Sequence, residues 1–477
     1  MNTTDQLANY LNRRSFLGQA GIGFGSAALL SLLGKDARGA GSGSSPHALP
    51  GLPHHHAKIK RVIFLCMAGG PSHLETFDYK PELNQLNGQP MPDSFTKGQP
   101  IAQLQGHKLK VQGHLTKFKE YGTGQYISDF LPYHRKMADQ LCIVNSMLTE
   151  QINHDPAHTF MNTGTAISGR PSMGSWINYG LGSESDDLPG FVVMTSVGGR
   201  NPQPIAARQW GAGFLPSRHQ GVEFNSTGDP VHYVTNPKGV SRSQQDALVQ
   251  SIRQLDIHRN ETVDNPEIKA RIAAYEMAFR MQTSVPELTD VSKEPKHILE
   301  MYGAKPGDGS YASNCLLARR LAEKGVRFIQ LYHRGWDHHG GLEKYMNICC
   351  GLTDKPTYAL LTDLKQRGML EETLIVWGGE FGRTPMFQGK GGAGRDHHIK
   401  GFSMWLAGGG IKGGTAYGET DELGYSSVKD IVHVRDLHAT MLHLLGINHE
   451  RFSLKFQGLD MRLTGVEPAR VVKGVLA

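Results

Sequence analysis

Four short segments of this 477-residue chain combine carboxylates with histidines, and three of them directly follow an apolar run. The segments are residues 69–78, 333–341, 378–385 and 395–398. Their side chains include His73, Asp78, Asp337, His339, Glu380, Asp396 and His397. Carboxylate oxygens and imidazole nitrogens are ligands of divalent cations such as zinc and manganese, while calcium and magnesium prefer oxygen. We interpret the four segments together as a divalent-metal site; the alternative is that each is a solvated or capped loop.

Two arginines lie among these carboxylates. Arg383 follows Glu380 by three residues, and Arg395 directly precedes Asp396. A guanidinium can hold a tetrahedral oxyanion through two parallel hydrogen bonds, as catalysis on a phosphate or sulfate ester requires. The alternative is that the arginines pair with Glu380 and Asp396. The sequence leaves both interpretations open.

The elements that must position these side chains are apolar runs of strand length. The runs are 62–67, 141–144, 191–194, 326–331, 374–377 and 402–407. Most are continuous rather than alternating, which is typical of strands buried on both faces of a parallel sheet. Segments with helical periodicity lie between several of the runs, and two of these predicted helices end at Gly325 and Gly368. This alternation predicts a doubly wound, mostly parallel α/β sheet. Ligands bind beyond the carboxyl ends of such strands, so we expect the polar segments at one edge.

Residues 245–300 depart from this alternation. Leu248, Ile252 and Leu255 recur at helical spacing, and a second series follows. The second series is Ile268, Ile272, Tyr275 and Phe279. We therefore expect one α/β domain over 58–477 that carries a helical insertion at about 245–300, packed on the sheet.

The N-terminal segment has the layout of an export signal. Arg13 and Arg14 precede an uncharged stretch at 18–34, which resembles a twin-arginine leader. The alternative is a short buried helix of the mature fold. The stretch is shorter than the ~20 apolar residues of a bilayer span. We expect 1–40 to be a signal peptide read by the twin-arginine export machinery, 41–57 to be a flexible linker, and the mature protein to be periplasmic or extracellular with no membrane span.

The composition excludes several classes of protein. The chain has 50 Lys and Arg against 44 Asp and Glu, a thin excess that argues against a nucleic-acid binder. Its five cysteines are scattered, which argues against a disulfide framework. With 39% hydrophobic residues, it is not a polytopic membrane protein.

Four blocks of the sequence resemble signatures of a known family. They are Gly-Gly-Pro-Ser-His at 69–73, Trp-Asp-x-His at 336–339, Gly-Glu-Phe-Gly-Arg-Thr-Pro at 379–385 and Gly-Arg-Asp-His at 394–397. They are similar to blocks of DUF1501, a family of exported bacterial proteins of unknown function placed in the alkaline phosphatase and sulfatase superfamily. The resemblance runs from about Arg61 to about Gly446. It implies the doubly wound fold of that superfamily.

The resemblance also implies a ligand set. Asp337, His339 and His397 are expected to bind one ion, and Glu380 is expected at a second site. The superfamily usually places a histidine directly after that position, whereas this chain has Phe381. The resemblance therefore implies that the second site lacks one imidazole.

Two further positions depart from the superfamily pattern. Its first strand ends in a metal-binding aspartate that this chain lacks, and we expect His73, Glu75 or Asp78 to substitute. The segment that holds the nucleophile of sulfatases is similar to residues 154–158, which begin and end with His154 and His158. The resemblance therefore places histidines at catalytic positions.

A histidine at the nucleophile position leaves three mechanisms open. His154 itself attacks, a metal-activated water attacks, or the site binds without turnover. We favour water. The expected function is an exported metal-dependent hydrolase of phosphate or sulfate esters, acting on a small-molecule or polysaccharide ester. The alternative is a non-catalytic metal- or carbohydrate-binding protein on the same fold.

Overall fold

The computed structural model describes residues 48–199, 203–231, 239–263, 266–389 and 392–477. The expected signal peptide lies outside these residues. Of the expected linker, residues 48–57 are described and follow the surface of the domain. Leu49 N donates to Gly180 O at 2.9 Å, and His54 N donates to Gly446 O at 2.8 Å. This part of the predicted linker is therefore held against the domain.

The described residues form seventeen strands and ten α-helices, joined by turns and short 3-10 helices. The strands are β1 (Arg61–Ala68), β2 (Phe118–Tyr121), β3 (Gln125–Ser128), β4 (Leu141–Leu148), β5 (Phe191–Thr195), β6 (Val222–Phe224), β7 (Phe328–Arg334), β8 (Thr373–Gly378), β9 (Gly382–Arg383), β10 (His397–His398), β11 (Phe402–Gly408), β12 (Thr415–Tyr417), β13 (Glu419–Thr420), β14 (Ser427–Lys429), β15 (Val432–His433), β16 (Leu454–Phe456) and β17 (Leu459–Met461). The helices are α1 (Pro81–Gln85), α2 (Asp93–Thr96), α3 (His154–Thr163), α4 (Met173–Leu181), α5 (Arg242–Val263), α6 (Pro266–Thr289), α7 (Lys296–Tyr302), α8 (Tyr311–Glu323), α9 (Leu342–Gln366) and α10 (Val434–Leu444).

The main sheet has the strand order β12-β4-β11-β8-β1-β7-β5-β6, and β15 pairs with β4. β1 lies between β7 and β8 and is parallel to both. β11 is antiparallel to its neighbours β4 and β8. The predicted fold class, a mostly parallel doubly wound sheet, is confirmed.

The central strands of the sheet are buried on both faces because most of their residues are apolar. Every residue of β1 is buried. Ile63 and Leu65 point into one hydrophobic core, whereas Val62 and Phe64 point into the other. Helices α8 and α9 contribute to the first core and α4 and α10 to the second. This two-sided burial explains why the strand runs are continuous rather than alternating.

The helical insertion consists of α5 and α6. Val285 and Leu288 of α6 share a hydrophobic cluster with Leu317 of α8. In α5, Leu248 is 52% exposed and Leu255 is 70% exposed. The prediction of two helices is confirmed by these bounds. Helix α5 contacts α6, and two residues of its expected apolar face, Leu248 and Leu255, are exposed.

Among the residues that the structure describes, no helix has the length and apolar character needed to cross a bilayer.

Candidate metal centre

The site lies where three neighbouring parallel strands end. β1, β7 and β8 run in register, with Ala68 opposite Arg334 and Cys66 opposite Gly378. The loops that follow them therefore leave the same edge of the sheet side by side. This is the edge at which an open parallel sheet binds ligands.

Three side chains meet there at the distances of ligands around one ion. Asp337 Oδ1 lies 3.0 Å from His339 Nε2 and 3.2 Å from His397 Nε2. The two Nε2 atoms are 3.0 Å apart. In a tetrahedral site with metal–nitrogen bonds of 2.0–2.1 Å, neighbouring ligand atoms are about 3.3 Å apart. Asp337, His339 and His397 thus form one face of a metal coordination shell.

His154, the first residue of α3, lies between this triangle and Glu380. Its Nε2 is 3.3 Å from Asp337 Oδ1, and its Nδ1 is 2.6 Å from Glu380 Oε1. The ring also lies at 4.5 Å from that of His397, measured between centroids. Both nitrogens of His154 therefore face carboxylates.

The contacts of Asp337 test whether these residues fit a cation. Besides the three imidazoles, Nη2 of Arg383 lies 2.7 Å from the same Oδ1. A carboxylate oxygen offers two lone pairs, so hydrogen bonds alone do not satisfy four nitrogens around it. The Nε2 atoms of His339 and His397 also face each other, so at least one of them must act as a hydrogen-bond acceptor. A divalent ion that accepts the imidazole lone pairs resolves both conflicts, and the donor set fits one.

Glu380 and His158 lie deeper. Glu380 is fully buried, and its carboxylate accepts hydrogen bonds from Gly69 N at 3.0 Å and Gly70 N at 3.2 Å. His158, one turn along α3 from His154, has its Nε2 3.4 Å from Glu380 Oε1. Two sets of side chains have ligand atoms close enough to share an ion, and both contain His154. One set adds Asp337 and His397, and the other adds His158 and Glu380.

The electrostatics favour the protonation states that metal ligands need. Burial raises the pKa of Glu380, but the electrostatic interaction with the nearby His158 ring and the hydrogen bond from His154 outweigh burial and lower the pKa to about 2. Burial also raises the pKa of Asp337, but hydrogen bonds from three histidines hold it well below its usual range. Burial lowers the pKa of His397 to about 4. The carboxylates are therefore ionised and His397 is neutral at pH 7, which are the forms that bind a cation.

His154 behaves differently from His397 in the absence of an ion. Burial lowers the pKa of His154, but its hydrogen bonds to Asp337 and Glu380 outweigh that effect and raise the pKa to about 9. A cation at either carboxylate therefore competes with the proton on this ring.

Arg383 is a clamp within the protein rather than an exposed anion binder. Its side chain is buried, with Nε donating to Gly70 O at 2.8 Å and Nη1 to Arg395 O at 3.1 Å. Nη2 donates to Gly69 O and Asp337 Oδ1. In the described part of the chain the guanidinium therefore contacts Asp337 and backbone carbonyls, and its side-chain partner is Asp337 rather than Glu380.

Arg395 is likewise not at the centre. It is fully buried and bonds Glu75 through two parallel contacts, Nε to Oε2 at 2.9 Å and Nη2 to Oε1 at 2.7 Å. Its side-chain partner in the described residues is therefore Glu75 rather than the neighbouring Asp396. Glu75 is in turn committed to Arg395 and is not available to replace the missing aspartate of the first strand.

Three other expected ligands have partners of their own. Asp396 accepts hydrogen bonds from the backbone of Leu104 at 2.7 Å and of His397 at 2.9 Å. His73 Nε2 contacts Gly424 O at 2.8 Å. Asp78 pairs with the ammonium of a neighbouring lysine, Lys80, at 3.2 Å and accepts from the hydroxyl of Thr420. The structure does not bring His73, Asp78 or Asp396 into the two ligand sets.

Sequence reasoning missed the groups that orient the imidazoles. His339 Nδ1 donates to Gln388 Oε1 at 2.6 Å, and His397 Nδ1 donates to Ile152 O at 2.8 Å. Such contacts fix the tautomer, so that Nε2 presents its lone pair to the centre. No motif marks Gln388 or Ile152. The spacing of the two histidines at the start of α3 is visible in the sequence, where the resemblance assigns both to catalysis.

Comparison with solved structures gives matches at 10–11% sequence identity. The match to the structure of Ps i-CgsB in complex with k-i-k-neocarrahexaose covers 81% of this chain and 72% of the Ps i-CgsB chain, with 11% identity and a TM-score of 0.36. Lipoteichoic acid synthase LtaP from Listeria monocytogenes covers 86% and 75%, with 10% identity and a TM-score of 0.36. A TAB5 alkaline phosphatase mutant with Mg bound covers 82% and 99%, with 10% identity and a TM-score of 0.32.

No curated protein matches the chain. The family model described as "Protein of unknown function (DUF1501)" matches residues 59–476. The matched region includes all of the side chains of both ligand sets. The chain belongs to the DUF1501 family.

Proposed function

We propose that this protein is an exported metal-dependent hydrolase of phosphate or sulfate esters. The observation that carries the proposal is the triangle of Asp337, His339 and His397, whose ligand atoms are 3.0–3.2 Å apart. Three protein ligands with a remaining open position are typical of catalytic rather than structural zinc sites.

The triangle opens toward solvent on one side. The side chain of His339 is 23% exposed and that of Asp337 is 16% exposed, whereas His397 is 5% exposed. A divalent ion held there would supply Lewis-acid chemistry to an oxygen of the ester. The chain itself contributes the fixed carboxylate of Asp337, held by Arg383, and imidazoles whose tautomers are set by their Nδ1 partners.

We favour water over His154 as the attacking group. An attacking imidazole needs a nitrogen lone pair directed at the substrate. Nδ1 of His154 is instead hydrogen-bonded to Glu380 Oε1 at 2.6 Å, and Nε2 lies 3.3 Å from Asp337 Oδ1. In this proposal His154 holds a proton or a cation between Asp337 and Glu380 and forms no covalent intermediate.

The alternative function is a non-catalytic protein that binds a metal or a carbohydrate at this site. One observation favours it. Arg383 and Arg395 are both buried and bonded within the protein, so neither of the arginines expected to bind an anionic ester faces the opening.

Metal content and turnover together test the proposal. The protein is purified from the exported fraction, its metal is measured by elemental analysis, and hydrolysis of an aryl phosphate and an aryl sulfate is followed. We expect bound metal and turnover of at least one ester. His397→Ala should lose the metal held by the triangle and at least about 100-fold in activity, because even residues that only orient ligands cost 10–100-fold when replaced.

The matched control is His438→Ala. His438 is a buried histidine of α10 that contacts Met161 O at 2.8 Å, outside both ligand sets. This variant should keep metal and turnover. Stoichiometric metal without hydrolysis of either ester would favour the binding protein, and protein free of metal and of activity would refute both the hydrolase and a metal-binding role.

A further inference from the structure

We infer that the chain builds a second, inner metal site from His154 Nδ1, His158 Nε2 and Glu380 Oε1, next to the Asp337–His339–His397 triangle. The inference rests on the metal centre proposed above. It assigns to His158 and Glu380 the role of binding zinc or a similar ion, in place of the catalytic role expected for His158.

Helix α3 supplies two of the three ligands. His154 and His158 are four residues apart at the start of α3, so their side chains lie on the same face of the helix, one turn apart. Two histidines at this spacing on a helix are a known zinc-binding arrangement, and two histidines with one glutamate form a known zinc ligand set.

Glu380 is held so that one oxygen faces the histidines. Gly69 N donates to both carboxylate oxygens, at 3.0 Å to Oε1 and 3.1 Å to Oε2, and Gly70 N donates to Oε2 at 3.2 Å. Oε1 lies 2.6 Å from His154 Nδ1 and 3.4 Å from His158 Nε2. The carboxylate is therefore fixed by the turn after β1 before any ion binds, and the three ligand atoms lie within 4.8 Å of one another.

His158 is the second, independent observation. It is fully buried, and neither ring nitrogen has a hydrogen-bond partner in the described part of the chain. The polar side chains nearby are bonded to each other: Asn162 and Gln330 both donate to the hydroxyl of Tyr332. A buried polar group without a partner is costly to fold. A cation held with Glu380 gives His158 the partner it lacks.

The two sites differ in access. His158 and Glu380 are both fully buried, whereas the triangle is partly exposed through His339. An ion in the inner site should consequently exchange more slowly with a chelator than an ion in the outer site. The two sites adjoin, because His154 is 3.3 Å from Asp337.

Zinc stoichiometry tests the inference. The full-length exported protein is stripped with a chelator, reloaded with excess zinc and desalted, and zinc per chain is measured. We expect two ions in the unmodified protein and release to a chelator in a fast and a slow phase. His158→Ala should retain one ion and lose the slow phase, and His397→Ala should retain one ion and lose the fast phase.

Two controls keep the result interpretable. His158→Gln keeps a polar side chain in the buried position and should also bind one ion, which separates ligand loss from misfolding. His438→Ala should bind two ions. One ion in the unmodified protein, or a stoichiometry unchanged in His158→Gln, would overturn the inner site and leave Glu380 as a hydrogen-bond partner of His154. Absence of zinc from the unmodified protein would instead refute the proposed function.

Discussion

The buried pair of Arg395 and Glu75 shows how much a single residue depends on its partner. Both side chains are completely buried, and two hydrogen bonds join them. Replacing Glu75 with Gln leaves a buried guanidinium without its counter-charge, and breaking such a pair costs about 3–5 kcal/mol of unfolding free energy. Chemical denaturation of Glu75→Gln should show this loss. Glu419→Gln, which alters an exposed pair with Lys429, should change stability little.

The pair also gives a pH dependence with a defined sign. Burial raises the pKa of Glu75, but the charge and hydrogen bond of Arg395 outweigh burial and lower it. A carboxylate with a lowered pKa in the folded state stabilises the protein above its unfolded-state pKa, roughly 4.3, and this contribution is lost as pH falls. The stability difference between the unmodified protein and Glu75→Gln should therefore be largest near neutral pH and shrink in acid. A difference that grows in acid would contradict this account.

Sequence reasoning found those site residues that are close together in the chain. The spacing of Asp337 and His339 puts two ligand types on one loop, and their shared position after a strand is readable from the apolar runs. The partner of Arg395 was not readable, because Glu75 is 320 positions away and competes with the nearer Asp396. The sequence also did not indicate that His158 is a candidate ligand. Its lack of a hydrogen-bond partner is visible only once its neighbours in the fold are known.

At the scale of elements, the turn after β1 connects the strand to the site. Gly69 has φ +124°, and a Cβ there would lie 2.5 Å from the backbone nitrogen of Asp337 and 2.7 Å from the carbonyl carbon of Trp336. Gly69 N also holds Glu380. Gly69→Ala should displace both Asp337 and Glu380, and we expect loss of bound metal together with a lowered melting temperature.

A second glycine with a positive φ but open surroundings provides the control. Gly368 has φ +66°, and a Cβ at this position would have no atom within 4 Å among the described residues other than its chain neighbours. Gly368→Ala should lower the free energy of unfolding by about 1–2 kcal/mol, the cost of placing a side chain in a left-handed backbone conformation. This variant should keep its metal. Equal metal contents in Gly69→Ala and the unmodified protein would show that the turn does not position the site.

The strands were more predictable than the helical insertion. Each of the six apolar runs overlaps a strand of the main sheet, because continuous burial leaves a clear signature. The short edge strand β6 and the antiparallel direction of β11 were not predicted, since three residues carry little pattern and direction depends on connections. In α5 the apolar spacing predicted a buried face, yet Leu255 is 70% exposed. Periodicity identifies a helix without identifying what packs against it.

At the scale of the whole molecule, the paired arginines of the leader predict the route of export. Arg13 and Arg14 lie outside the residues that the structure describes, so the prediction rests on sequence alone. Replacing both with Lys should leave the precursor in the cytoplasm, because the arginine pair is the feature that distinguishes this leader. Cell fractionation measures the distribution. Arg38→Lys, a conservative exchange outside the pair, should be exported normally, and normal export of the double variant would refute the twin-arginine route.

The centre also ties together distant parts of the fold, so metal should stabilise the whole domain. Its ligands come from α3, from the loop after β7 and from β10. More than two hundred residues of chain separate His154 from His397. An ion that binds only the folded chain stabilises it by about 2.7 kcal/mol when its free concentration is a hundred times Kd.

Calorimetry of the mature protein should show a melting temperature that is several degrees higher with zinc than with a chelator. In His397→Ala this difference should shrink, because one site has lost a ligand, whereas His438→Ala should retain all of it. A melting temperature that does not respond to zinc in the unmodified protein would mean that the ligand sets do not hold a metal in the folded state.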